Sequence, residues 1–255
     1  MSGGHAHALH IHGHSVVHRL PGHLKVAALV LFVAAVVATP ARAVWAFGLD
    51  AAVLGLVAGL AGVPARFIAR RMLVEVPFLA FAVLLPLVGE GPFFEFGGVR
   101  LSEAGLLAAW TILAKGSCGV VASILLAATT EIPDILAGLN RLRVPKAIVA
   151  IAGFMVRYLE VISGEVARMR VAMAARGYEP KSFWQVRALA TSAGALFIRS
   201  YERGERVYMA MVSRGYAGTM PTFGETPTMT TDVVRALTLP GLAIITAAVA
   251  LVVSG

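Results

Sequence analysis

Apolar residues run along this chain in long blocks separated by short polar breaks. The first 23 residues are polar, "MSGGHAHALHIHGHSVVHRLPGH". The block "KVAALVLFVAAVVATP" follows from Lys25 and stops at Pro40, which cannot continue a helix. A second block covers Val44 to Gly62. A third covers Met72 to Gly89, with Pro77 and Pro86 as expected kinks. A fourth runs from Gly105 to Thr130 and a fifth from Leu237 to Gly255. A hydrocarbon core about 30 Å thick needs about 20 helical residues. Each block therefore predicts a membrane-spanning helix, the first being short enough to need its flanks.

Between Glu131 and Arg235 the pattern changes from continuous blocks to helical stripes. Ile162, Val166, Met169 and Met173 recur at the spacing of one helix face. Ile198, Tyr201, Tyr208 and Val212 predict a second such face, with Glu205 interrupting it. The pattern predicts an all-α membrane protein: about five transmembrane helices plus cytoplasmic amphipathic helices. The expected divisions are a tail at 1–23, transmembrane helices one to four within 24–130, cytoplasmic helices at 131–235, and a fifth transmembrane helix at 236–255. Apolar stretches inside 131–235, such as "VPKAIVAIAGFMV", are expected to reach the membrane surface.

Composition agrees with the blocks. The chain is 58% hydrophobic and 14% charged, whereas a soluble domain is about 25% charged. The net charge of +8 reports topology before it reports a nucleic-acid partner. Arg19 and Lys25 precede the first block, and Arg66, Arg70 and Arg71 lie between the second and third. The intervening loops hold only Arg42 and Arg100, the latter among Glu90, Glu95 and Glu103. The segment 131–235 has 14 Lys/Arg against 9 Asp/Glu. These asymmetries predict a cytoplasmic N-terminus, a cytoplasmic 131–235 segment and, with five spans, an external C-terminus. The first block follows a long His-rich head, unlike a secretory signal, and is expected to be retained. Cys118 is the one cysteine; it implies no intramolecular disulfide and reads as a packed thiol.

One short pattern occurs twice. "MAARGYEP" begins at Met173 and "MVSRGYAG" at Met211, an offset of 38 residues. Each places Arg-Gly at the end of a striped helix, where glycine is the favoured residue just past the last turn. Pro180 and Pro221 then block continuation. An arginine there projects past the helix tip, and its donor fork suits a carboxylate. The plainer role is local: each cation complements its own helix dipole, worth about 0.3–1 kcal/mol. Two copies in matched context point beyond that, to two equivalent receptors on partner proteins.

Motifs of catalysis are missing. The dipeptide Gly-Lys does not occur, so no Walker A loop is present, and neither H-E-x-x-H nor G-x-S-x-G is found. The segment "HRLPGHLKVAALVLFVAAVVATP", the membrane-then-cytoplasmic layout and the paired tips together resemble the T components of energy-coupling factor transporters, specifically the CbiQ type of cobalt importers. That family carries paired Ala-Arg-Gly-like triplets at the ends of two coupling helices. Here they are Ala175-Arg176-Gly177 and Ser213-Arg214-Gly215, the second with Ser in place of Ala.

The resemblance implies a non-catalytic transmembrane coupling subunit in the cell membrane. Two ABC-type ATPase subunits, CbiO-like, would bind the coupling helices of 131–235 and use the ATP. No cofactor would be bound by this chain directly. A CbiM-like membrane subunit would bind substrate, with a small CbiN-like subunit as a further partner. The same role in a nickel or vitamin importer is the nearest alternative. A metal-binding membrane sensor is another, because His5, His7, His10, His12, His14, His18 and His23 all lie at the start of the chain and imidazole ligates divalent metals. No metal-site residue is assigned on that basis. Glu75 and Lys115 lie in or near apolar blocks; Glu75 is near a span end, Lys115 is expected to snorkel or to pair in the bundle, and neither is assigned to a transport path. Gly55 and Gly59 form a G-x-x-x-G face suited to close helix packing.

Overall fold

A computed structural model describes residues 11, 13, 15–89, 92–96, 99–178, 186–218 and 229–254. The helices are α1 (Val16–Arg19), α2 (Gly22–Ala38), α3 (Val44–Ala61), α4 (Ala65–Arg71), α5 (Val76–Val88), α6 (Glu103–Thr129), α7 (Ile132–Arg141), α8 (Lys146–Ala175), α9 (Val186–Val212) and α10 (Thr230–Ser254). A 3-10 turn, Met72–Glu75, joins α4 to α5.

Local chemistry sets many of these ends. α3 stops at Gly62 with φ of 66°, a left-handed cap. Pro64 and Pro145 stand immediately before α4 and α8. Ser102 caps α6 by accepting a hydrogen bond from the Gly105 amide at 3.2 Å. Between α5 and α6 lies an element the block pattern does not show, an antiparallel hairpin of β1 (Phe93–Phe96) and β2 (Val99–Ser102), with Phe93 opposite Ser102. It is too short to disturb the all-α class.

The described residues form two compact units. In the larger, α2, α3, α6 and α10 enclose a core of Phe32, Val36, Phe47, Leu54, Cys118, Leu125 and Ala243. Alanines dominate the interior, while Leu56, Leu60, Phe81, Val88 and Val252 point outward and are exposed. Small residues inside and large apolar residues outside are the packing expected in lipid, where backbones approach closely and the outer surface needs no polar cover. α7 packs on α2; a Cβ at Gly138 would strike the backbone of Gly22 and His23. The smaller unit contains α8 and α9.

Five helical segments among the described residues are long and apolar enough to cross a membrane: Val44–Ala61, Ala65–Val88, Glu103–Thr129, Lys146–Ala175 and Thr230–Val253. The set differs from the five sequence blocks at two places. α2 has 17 residues, or about 26 Å at 1.5 Å per residue, just under a full span. α8 has 30 residues and none buried, so length and composition alone would let it span, although its stripe reads as amphipathic. Two further details depart from the blocks. The third span begins at Ala65, so Arg66, Arg70 and Arg71 sit on a helix and not in a loop. The last helix begins at Thr230, ahead of Leu237, and carries Pro240 within it.

Candidate functional site

Both Arg-Gly-Tyr sequences end their helices with the same hydrogen bonds. After α8, the Gly177 amide donates to the Ala174 carbonyl at 3.0 Å and the Tyr178 amide to the Met173 carbonyl at 3.1 Å. After α9, Gly215 donates to Val212 and Tyr216 to Met211, each at 3.0 Å. Gly177 and Gly215 have φ of 73° and 85°. This is a Schellman motif built twice. The glycine carries the left-handed residue, and the tyrosine amide closes the turn onto the methionine carbonyl. The sequence repeat is therefore a structural repeat.

The motif fixes where each side chain goes. Met173, Met211, Tyr178 and Tyr216 are half-buried, while Arg176, Arg214, Ala175 and Ser213 are exposed. Neither arginine has a hydrogen-bond or ion-pair partner among the described residues. Ser213 turns its hydroxyl back onto the Ala210 carbonyl at 3.0 Å, which leaves the flank of Arg214 as small as Ala175 leaves that of Arg176.

α8 and α9 run antiparallel. Met173 Sδ accepts from Ser192 Oγ at 3.4 Å. Glu165, nearer the start of α8, accepts from Arg199 at 3.2 Å and from Arg203 at 3.3 Å, nearer the end of α9. The two tips consequently lie at opposite ends of the pair, on the order of 30 Å apart at 1.5 Å of rise per residue.

The stripe of α8 is where the sequence puts it: Ile162, Val166, Met169 and Met173 are all half-buried. On α9 the packed face is another one. Ser192, Leu196, Arg203, Val207 and Met211 are half-buried, and Ser192 and Arg203 make the contacts to α8. Ile198, Tyr201, Tyr208 and Val212 are exposed. Glu165 draws the two arginines, and with them their face, against α8; the apolar stripe turns away.

The other singled-out residues lie in the larger unit. Lys115 donates to the Val37 carbonyl of α2 at 2.6 Å. Glu75 is buried on the 3-10 turn and accepts from Ser117 of α6 at 2.8 Å. Lys115 therefore pairs within the bundle, on a backbone carbonyl. Gly55 and Gly59 meet nothing within 4 Å of a built Cβ, so their face is open. The apolar pattern does not single out Asp50, the sole acid of its block. It is 2% exposed and accepts from Thr246 of α10 at 3.3 Å; its second oxygen has no partner among the described residues. A lone acid in an apolar span was the available signal.

Of the histidines, His5, His7, His10, His12 and His14 lie outside the described residues. His18 uses both ring nitrogens: Nε2 donates to the Ile11 carbonyl at 3.0 Å, and Nδ1 accepts from the Ser15 hydroxyl at 2.8 Å. His23 stands in the first turn of α2. No group of three or more His, Cys, Asp or Glu among the described residues is placed to hold a metal ion.

The sequence is similar to those of known proteins. The pattern of a family described as CbiQ, cobalt transport protein, matches residues 13–223. The cobalt transport protein CbiQ of Rhodobacter capsulatus is 30% identical over 168 residues, covering 66% of this chain and 67% of that one. The energy-coupling factor transporter transmembrane protein EcfT of Limosilactobacillus fermentum is 28% identical, over 79% of this chain and 80% of its own length. A fused cobalt transport protein named CbiMQ, from Methanocorpusculum labreanum, is 29% identical over 54% of this chain; the match spans 24% of that longer protein.

Proposed function

This chain belongs to the CbiQ family of cobalt transport proteins, and we propose that it is the transmembrane coupling subunit of an energy-coupling factor cobalt importer. The observation that carries this reading is the duplicated tip: two exposed arginines, each on the same left-handed cap, at opposite ends of an antiparallel helix pair. Two ABC-type ATPase subunits each receive one tip, formed by Ala175, Arg176 and Gly177 or by Ser213, Arg214 and Gly215. ATP is bound and hydrolysed in those partners, and this chain is not catalytic. Closure of the ATPases moves the tips, and the bundle passes the motion to a separate CbiM-like substrate-binding subunit. The CbiMQ relative supports that pairing, since its name joins an M part and a Q part in one chain. A small CbiN-like subunit is a further partner, and cobalt is the cargo selected by the partner subunit.

The test is co-purification of the ATPases and ATP-dependent cobalt uptake with Arg176→Ala, Arg214→Ala and both together. Each single change removes a charge-assisted contact worth about 2–5 kcal/mol at a desolvated interface. Lysine at either position restores part of the loss, because a point charge lacks the bidentate fork. Full assembly and uptake in the double variant would overturn the docking reading and leave only a helix-dipole role. Nickel uptake in place of cobalt would change the cargo and keep the mechanism. Deleting residues 1–16 abolishes the response of a His-tail sensor but leaves ATP-driven uptake by a coupling subunit intact.

A further inference from the structure

Within the larger unit, α1, the start of α2, the end of α3, the end of α6 and the start of α10 surround an apolar cavity of about 240 Å³. Leu29, Leu54, Val57 and Leu126 are among its walls, and its charged lining residues are Lys25 and Arg235. All the contributing helix ends belong to one face of the bundle, the face that also carries Arg66, Arg70 and Arg71 on α4. No acid lines the cavity.

The two cations differ in state. Lys25 is 8% exposed. Its ammonium donates to the Thr129 carbonyl at 2.8 Å and to the His18 carbonyl at 3.1 Å. An ammonium has three donors, so one N–H is left over among the described residues. Asp134 of α7 acts on Lys25 electrostatically but does not line the cavity. Arg235 is exposed, with no side-chain partner among the described residues. It stands where the polar start of α10 gives way to apolar sequence.

We propose that this cavity anchors one anionic phospholipid, a segment of one of its two acyl chains among Leu29, Leu54, Val57 and Leu126 and its phosphate at Arg235 and the spare N–H of Lys25. The chemistry follows from the lining. Apolar walls select a hydrocarbon segment. A guanidinium fork and a spare ammonium donor select phosphate oxygens. Two cations with no lining acid favour a lipid with net negative charge over a zwitterionic one, and basic pockets between membrane helices recognise such headgroups. A bound lipid would bridge α2, α3, α6 and α10 where their ends meet.

The experiment uses the purified full chain in detergent, offered phosphatidylglycerol and phosphatidylcholine of identical chain length in equal amounts, with retained lipid counted by native mass spectrometry. One phosphatidylglycerol is expected to be retained in preference to phosphatidylcholine. Arg235→Gln lies on an exposed position and should leave the fold intact. It is expected to cut phosphatidylglycerol retention about five-fold, the effect of one basic residue near a membrane surface, without changing phosphatidylcholine. Val57→Trp, which fills the cavity, is expected to reduce retention of both. Equal retention of the two lipids, retention of neither, or retention indifferent to Arg235→Gln overturns the proposal.

Discussion

Gly177 and Gly215 hold the same backbone conformation at two helix ends 38 residues apart, with φ of 73° and 85°. Each is followed by a tyrosine whose amide closes onto a methionine five residues back. Replacing either glycine with alanine forces a Cβ into the left-handed region, at about 1–2 kcal/mol. No neighbouring atom obstructs a Cβ at either site, so the cost is conformational and confined to the tip. Gly177→Ala and Gly215→Ala are expected to weaken ATPase co-purification while barely moving the melting temperature of the whole chain. Asparagine, which tolerates this conformation better, is expected to give the milder defect. Alanine variants with undiminished assembly would show that the cap does not position the arginine.

The antiparallel pairing of α8 and α9 predicts a distance. Spin labels on cysteines at Ala175 and Ser213, with Cys118 replaced, should report a separation on the order of 30 Å. A short distance, near 10–15 Å, would mean that the helices lie parallel with both tips together.

Glu165 holds Arg199 and Arg203 at once, and its side chain is 12% exposed while theirs are 60% and 39%. Because the arginines are solvated, Glu165→Gln should cost at most about 1 kcal/mol. Glu165→Arg gathers three like charges and should do more, broadening the distance distribution between the labelled tips. An unchanged distribution in Glu165→Arg would place the hold between α8 and α9 elsewhere.

Lys25 ties the start of α2 to the carbonyl end of α6 through Thr129. Lys25→Met keeps the apolar stem and removes both donated bonds, leaving two carbonyls to find other partners at about 1–3 kcal/mol each. The thermal midpoint in detergent should fall by several degrees. Lys25→Arg should retain most of the stability, since a guanidinium can still donate to carbonyls.

Topology is decided by α8. If α2, α3, Ala65–Val88, α6 and α10 cross and α8 does not, the N-terminus is cytoplasmic and the C-terminus external. Impermeant thiol labelling of cysteines at Ser2 and Ser254 should then modify only the latter in intact cells. Modification of both or neither means an even number of crossings, with α8 as the sixth.

Much of this architecture is legible in the sequence because its causes are local. A block of about 20 apolar residues needs only the bilayer to make it a helix. The two tips need six residues each, Met to Tyr, to write their own hydrogen bonds. The interior residues were less legible. Asp50 is not legible because a single acid among apolar neighbours has no evident role until Thr246, far along the chain, is seen beside it. Lys115 likewise reads as a snorkelling cation until the Val37 carbonyl is seen beside it.

The sequence by itself determined the all-helical membrane class, the stripe of α8 and the twin helix ends, each set by contacts within a few turns of chain. Tertiary structure alone decided which face of α9 is packed, and it chose Leu196, Arg203 and Val207 over Ile198, Tyr201 and Tyr208. The reason is that an apolar stripe specifies only that a face prefers to leave water. In a membrane protein, lipid or a partner can satisfy that preference as well as another helix can. A paired charge such as Glu165 with Arg199 and Arg203 has far fewer acceptable partners, so these pairs mark which face of α9 meets α8 although each adds little energy. The antiparallel sense of α8 and α9, and so the separation of the two arginines, follows from those same contacts between residues distant in sequence.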